Sequence, residues 1–510
     1  MSFWAAALFA FLALLLTSVL GGLYTIGVFR KRAPNEPPLD KGFIPWLGYG
    51  MNFKKNSTEF LKRMWKRHGD IFTVLVGGNY LHFVMDPCTY RQIMRESKEK
   101  IDFNTFGSII VLNAFGFPTT DIHHKIVQIA SNKYLSGKNL TALNQVMIEK
   151  LKTVFIQRQG SGEEKKSWQQ DGLFRFSYKT IFQASFLSLF GMDPEKRVEG
   201  KENPKNYLTQ CEELYEAFQK FDRLFPQMAL GMLDSIGKEK SNKLKNYFWD
   251  ILSIKNISQK YEVSRWVTEL VQQMADVGMT EKMQTQFLLL LLWASQANTG
   301  PAAFWILAYL LKHPEALKAV KEEVEKALRE TGQEVKPGGL SINVSLHTMK
   351  TPLLDSAVEE TLRLTAGSIV FRSVMQDTDL KMADGKEYTL RKGDRLLLFP
   401  FVALHTNPEI YSDPHTFKYD RFLNPDGTKK EFYKNGKKLK YYTLPFGGGT
   451  TMCPGRFFAV NEMKMFVIMM LTCFEMELVN AEEELPPVNE SRYGLGIAQP
   501  EPCWIRPWPI

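Results

Sequence analysis

Residues 445–460 read PFGGGTTMCPGRFFAV, and no other stretch restricts the chain's conformation as much. The consecutive glycines 447–449 allow the backbone to turn through positive φ and to pass close to a flat partner. Pro454 and Gly455 then lead into Phe457, Phe458 and Ala459, an apolar run that reads as the start of a helix. Cys453 is thereby delivered to a helix N-terminus, where the positive end of the dipole favours a thiolate. Such a thiolate can be a nucleophile or a metal ligand.

Composition narrows the choice. The chain has 510 residues, room for one large α-rich domain or for two to three ordinary ones, and it shows no internal repeat. Its 64 Lys plus Arg against 55 Asp plus Glu give a formal charge of +9, too modest to indicate nucleic acid. That surplus suits an ordinary solvated surface, anionic lipid or an acidic protein partner. The five cysteines, Cys88, Cys211, Cys453, Cys473 and Cys503, form no CxxC and no Cys/His pair with zinc spacing. A disulfide framework is not expected, and a reducing compartment is.

The N-terminus points to a membrane. Ser2 to Val28 carries no charge, and Arg30-Lys31-Arg32 follows at once. A span needs about 20 apolar residues, and a cleaved signal would carry its positive charge on the other side. The expectation is an anchor over residues 1–29 with the body in the cytoplasm. A basic, proline-rich connector follows over 30–42, and the main domain over 43–510. Ala33 to Pro38 reads as stiff. Asp70 to Asp86 alternates around Gly77-Gly78-Asn79 as a hairpin. Phe287 to Trp293 suits a buried helix. Strand-like runs return at Tyr388–Phe399 and Phe474–Val479, and polar breaks fall at Gly160–Gly162 and Gly332–Gly339. Lys429 to Lys440 reads as a basic surface loop that is either solvated or docks an acidic partner. The fold class is mainly α with segregated minor β sheets (α+β).

A nucleophilic Cys453 needs a nearby base, and its stretch holds no histidine. A planar haem needs what is there: room for the ring, an apolar wall at Phe446, and backbone N–H groups aimed at the sulfur. A lone cysteine is more often a small buried hydrophobe. The spacing Phe446-x-x-Gly449-x-x-x-Cys453-x-Gly455 argues otherwise. It resembles the haem-binding loop of the cytochromes P-450, the haem-thiolate monooxygenases.

Three further elements agree in order. Glu360-Thr-Leu-Arg363 on a helix, with Arg421 in Phe417-Lys-Tyr-Asp-Arg421-Phe422, is similar to the family's structural Glu/Arg/Arg triad. Trp293 to Pro301 resembles the helix that crosses the haem, without its usual acid–alcohol pair. Asn298-Thr299 replaces Asp-Thr in one register. In the other, Asn298 stands at the alcohol's position; this is the preferred one, since Gly300-Pro301 should follow a local distortion. Asn298 and Thr299 are thus the candidate catalytic residues, with Trp293 and Ala297 facing the substrate. Arg372 matches a propionate-binding arginine. Thr451 stands where the family usually has a basic residue. The upstream W-x-x-x-R contact is absent, with His124 and Gln128 the nearest candidates.

The resemblance covers the chain from end to end. It is strongest to a branch that hydroxylates sterols and also contains an endoperoxide isomerase. It implies haem b on Cys453, O2, electrons from NADPH through a cytochrome P-450 reductase, and an endoplasmic reticulum membrane with the catalytic domain in the cytoplasm. The expected reaction is hydroxylation of a sterol nucleus on the route to bile acids, at the 12α carbon of a 7α-hydroxycholest-4-en-3-one-like intermediate. The rivals are an endoperoxide isomerase that needs no reductase, a haem sensor or carrier without turnover, and a cysteine hydrolase without haem.

Overall fold

The computed structural model describes residues 3–25, 29–158, 170–193, 197–198, 201–202, 204–333, 346–492, 494 and 496–500. The expected break at Gly160–Gly162, most of that at Gly332–Gly339, and Cys503 lie outside them. The chain forms two compact units. One comprises Met1–Phe103, Ser368–Ser412 and Tyr433–Thr443, the other Asn104–Gly367, Asp413–Phe432 and Leu444–Ile510.

The first unit begins with helix α1, Phe3–Thr25, whose described side chains are almost all exposed. No helix among the described residues is long and apolar enough to cross a membrane.

A six-stranded sheet is built from Leu39–Asp40 (β1), Ile71–Val76 (β2), Asn79–Val84 (β3), Ile101–Asp102 (β4), Val370–Val374 (β5) and Arg395–Leu398 (β6), in the order β1-β2-β3-β6-β5-β4. The expected hairpin is β2–β3, with Ile71 opposite Val84. Gly77 and Gly78 make its turn at φ 54° and 76°, values that a side chain would resist. The expected strand run Tyr388–Phe399 is two strands, Glu387–Leu390 and β6, because Lys392-Gly393 turns between them with Gly393 at φ 89°.

The 30–42 connector is docked in this unit. Arg30 pairs with both oxygens of Asp394 at 2.7 and 2.6 Å, and Asp394 also meets the fully buried His82 at 2.9 Å. Glu36, buried, accepts from the Ala33 N–H at 2.9 Å and pairs with Arg391. Leu39 then adds a parallel edge strand opposite Thr73. Within the basic run, Tyr433–Lys434 and Lys437–Lys438 form a small hairpin. Lys434 is buried over the Trp65 ring and lies 3.7 Å from Asp86, so it serves the fold rather than the solvated face expected there.

The second unit is helical. Its central helix, α2 (Leu173–Phe190), is buried on nearly every face. Two of its hydroxyls bond within the helix: Thr180 donates to Phe176 O and Ser188 to Ala184 O, each at 2.7 Å. Around it lie α3 (Pro204–Ala229), α4 (Glu281–Gln296), α5 (Thr299–Lys312), α6 (Pro352–Thr365) and α7 (Arg456–Cys473). Phe174 meets Phe304 edge-on at 5.3 Å between ring centres, and Phe182 packs on Phe218 at 5.1 Å. Each such ring contributes about 1.5–3 kcal/mol by leaving water. α5 approaches α2 so closely that a Cβ on Gly300 would lie 1.9 Å from the Tyr178 ring.

One expectation changes here, and the local distortion expected before Gly300-Pro301 is found. The segment Phe474–Val479 forms no strand; it leaves α7 in irregular conformation. The expected helix through Trp293–Pro301 is two helices, interrupted at Ala297 and Asn298. Pro301 has no N–H to give to Ala297 O, the carbonyl four residues back, so the ladder fails at that point.

Candidate functional site

The glycine-rich loop closes on itself before it reaches the cysteine. Cys453 N donates to Phe446 O at 2.9 Å. Gly447 and Gly449 both sit at φ 67°, where any other residue would be strained. Gly455 ends the loop as the N-cap of α7, and a Cβ placed on it would come 4.0 Å from Cys453 Sγ. Burial pushes the Cys453 thiol up. The N–H groups of Gly455 and Arg456, together with the Arg456 charge, act in the other direction and favour the thiolate. Thr451, which replaces a basic residue, donates to Gly448 O at 3.3 Å and so tightens the turn.

This donor set suits a haem iron. It offers one sulfur, backbone N–H groups that stabilise its charge, glycines that remove steric bulk, and the half-buried ring of Phe446.

The same unit holds a buried ion cluster. Glu360 receives Arg363 Nε at 2.7 Å and Nη2 at 2.8 Å, and Arg421 Nε at 2.7 Å. The surplus positive charge is met by carbonyls: Arg363 donates to Pro414 O, and Arg421 to Asp413 O and Thr416 O. The three side chains of the sequence motif are therefore in direct contact. They brace the stretch 413–421 against α6.

At the helix break, Asn298 is the N-cap position of α5. Its side chain does not cap that helix. Asn298 Oδ1 accepts the Ile497 N–H at 2.9 Å, and a Cβ on Gly496 would lie 2.0 Å from the same oxygen. Thr299, buried, donates to Ser295 O at 3.4 Å. Trp293 is half-buried, stacked on Phe225 at 3.8 Å between ring centres, and its Nε1 donates to Asp222 at 3.0 Å. Ala297 is buried, whereas Ala294, which the sequence reading passed over, is exposed between buried stretches of α4.

Arg372 belongs to the other unit. Burial lowers its pKa to about 10, against the favourable charge of Asp102; Nη1 donates to Phe371 O at 2.8 Å. A buried cation of this kind suits an anionic group. His124, one of the alternative candidates, has a buried Nε2 with no hydrogen bond, though the residue has other partners.

The sequence reading missed Asp222, Arg492 and Gln499. Nothing in their spacing announces them, because the fold brings together residues far apart in the chain.

Comparison with known proteins shows the family. The family model described as Cytochrome P450 matches residues 37–504. The chain is 45% identical over 491 residues to the Sus scrofa 5-beta-cholestane-3-alpha,7-alpha-diol 12-alpha-hydroxylase, covering 96% of each chain. It is 43% identical over 491 residues to the Homo sapiens 7-alpha-hydroxycholest-4-en-3-one 12-alpha-hydroxylase, again covering 96% of each. Homo sapiens prostacyclin synthase is 40% identical over 472 residues, which is 92% of this chain and 93% of that protein.

Proposed function

The chain belongs to the cytochrome P450 family, and from that premise we propose that it is a sterol 12α-hydroxylase of bile acid synthesis, acting on 7α-hydroxylated C27 sterols. The observation that carries the reading is the identity to relatives named for 12-alpha-hydroxylation, spread over nearly the whole of both chains. The first helix is proposed to insert in the endoplasmic reticulum membrane, where neutral sterols partition, with the basic residues 30–32 on the cytoplasmic side. An NADPH-dependent cytochrome P450 reductase is the proposed electron source.

Haem bound through Cys453 would supply oxygen activation, with the thiolate favouring O–O cleavage. The chain's own residues have separate tasks. Gly447 and Gly449 would leave room for the ring, Phe446 would wall it, and the N–H groups of Gly455 and Arg456 would hold charge on Sγ. Arg372 is proposed as a propionate cation on its chemistry alone. Trp293 and Ala297 are proposed to shape the substrate side. Asn298 and Thr299 are proposed to relay protons. Neither is an acid, so they act by ordering water. The Ile497 N–H fixes the amide's orientation, with Oδ1 toward Ile497 and Nδ2 away from it.

The test is turnover of 7α-hydroxycholest-4-en-3-one by purified protein with reductase and NADPH, with the product's hydroxyl located by NMR. Sterol should also shift the haem from low to high spin. A protein that binds haem through Cys453 yet leaves C27 sterols unshifted and unchanged overturns the assignment. The missing acid before Thr299 and the 40% identity to prostacyclin synthase favour one second reading, an endoperoxide isomerase. Rearrangement of a prostaglandin endoperoxide without reductase would establish that activity instead.

A further inference from the structure

Asp222 lies near the C-terminal end of α3 and is 1% exposed. Four hydrogen bonds from side chains reach its two oxygens. Oδ1 accepts from Trp293 Nε1 at 3.0 Å and from Arg492 Nη2 at 3.0 Å. Oδ2 accepts from Arg492 Nη2 at 2.9 Å and from Gln499 Nε2 at 2.9 Å. The Asp222 carbonyl also receives Arg492 Nη1 at 3.3 Å. All the carboxylate's lone-pair directions are thereby used. One buried anion thus joins three separate pieces of chain: α3, the end of α4, and the stretch that carries Arg492 and Gln499.

The partners of this anion border the break between α4 and α5. Trp293 lies just before the break, held on its face by Phe225, which lies three residues after Asp222 on the same helix. From the C-terminal stretch, Ile497 N bonds Asn298 Oδ1, and Ala498 O accepts Trp305 Nε1 at 2.7 Å. A shift of the stretch at Gln499 therefore moves the contact on Asn298. A buried ion pair is a poor way to gain stability, since apolar residues of similar volume often do as well. It is an effective way to fix geometry, because each donor has one direction in which it is satisfied.

We propose that Asp222 is a positioning residue for the reaction: through Trp293 and through the Arg492–Gln499 stretch it fixes the surfaces that decide which C–H bond of the substrate is presented. The proposal rests on the hydroxylase reading for its chemical readout but not for its structural one.

Two measurements test it on the full-length, haem-loaded protein. The first is amide hydrogen exchange without substrate. In Asp222→Asn the Ile497 and Ala498 amides should exchange at least tenfold faster than in the unaltered protein. The second is product distribution with 7α-hydroxycholest-4-en-3-one. The share of turnover at the principal carbon should fall at least threefold, and NADPH consumed per product should rise, while the reduced carbon monoxide spectrum keeps its thiolate-type band. Gln499→Met, which removes one donor at similar volume, should move both readouts in the same direction by less; it serves if Asp222→Asn does not fold. Exchange at Ile497 within twofold of the unaltered protein in either folded variant overturns the clamp. Faster exchange with an unchanged product distribution overturns its role in positioning. If the unaltered protein hydroxylates no sterol, the functional reading fails, while the exchange measurement still judges the clamp.

Discussion

Arg363 closes a two-point ion pair on Glu360, one helical turn before it, and neither side chain is exposed to solvent. Arg421 shares one of the Glu360 oxygens, so a single carboxylate neutralises part of two buried guanidinium charges. Glu360→Gln keeps the shape and removes that charge. It should cost about 3–5 kcal/mol, because it leaves two buried cations facing each other. Chemical denaturation reads the loss directly. Arg421→Lys keeps the charge but loses the planar fork, and it should retain part of the stability while weakening the brace on residues 413–421.

At Gly300 the issue is space. A Cβ there would lie 1.9 Å from the Tyr178 ring, and both residues are buried. Gly300→Ala should destabilise by about 1–3 kcal/mol through overpacking, despite alanine's better helix propensity. Combining it with Tyr178→Leu should recover part of that loss in a thermal melt, since the clash and its relief share one contact. Additive losses in the double variant would show that the strain lies elsewhere.

Glu462, on α7, is fully enclosed, and its Oε1 has no hydrogen-bond partner among the described residues. Burial pushes its pKa up to about 8, against a smaller effect of Ser185 in the other direction. The acid is therefore neutral in the folded protein at pH 7 and ionised in the unfolded chain. Its stabilising contribution is complete below the unfolded value near 4.5 and falls as pH rises, until it levels off above about 8. Glu462→Gln should remove that slope. The stability difference between variant and unaltered protein should grow by about 1.4 kcal/mol per pH unit between pH 5 and 8 in urea titrations. Parallel pH profiles would contradict a protonated Glu462.

In the first unit, Asp394 has the opposite character. Burial works against its ionisation, but His82 and Arg30 outweigh burial and hold its pKa below the ordinary carboxylate range. The stability it contributes is present above the unfolded value of about 3.9 and is lost as pH falls through the folded one. Arg30→Gln should cost on the order of 3 kcal/mol at neutral pH, because Asp394 stays buried with one cationic partner fewer. The acid limb of its unfolding curve should also move to higher pH. Thermal melts at pH 7 and pH 4 measure both effects.

The sequence was legible where function and fold share a local pattern. The glycines before Cys453 and the turn at Gly77-Gly78 are visible because each needs particular residue types at fixed spacing, whereas the Glu360/Arg363/Arg421 set is visible only through the resemblance to the family. The break near Asn298 could be foreseen from Pro301, since a missing N–H acts on a carbonyl four residues away. The strand expected at Phe474–Val479 fails because a strand-like run alone carries no partner: among the described residues no strand pairs with it. The orientation of Trp293 was invisible for a different reason. Its ring is held by Asp222 and Phe225, far back in the chain, and no window of sequence contains all three.

The connector after the apolar helix has a consequence in time. Arg30 and Asp394 are 364 positions apart, so a ribosome releases the arginine long before its aspartate exists. During that interval Arg30-Lys31-Arg32 lack this partner and, under the proposed insertion of the first helix, would bias the direction in which it enters a bilayer. Once synthesis is complete, Asp394 draws the first of those charges into the protein interior. A replacement at Arg30 would thus act twice, first on the orientation chosen by the emerging chain and later on the finished fold, and pulse-labelled translation would separate the two effects.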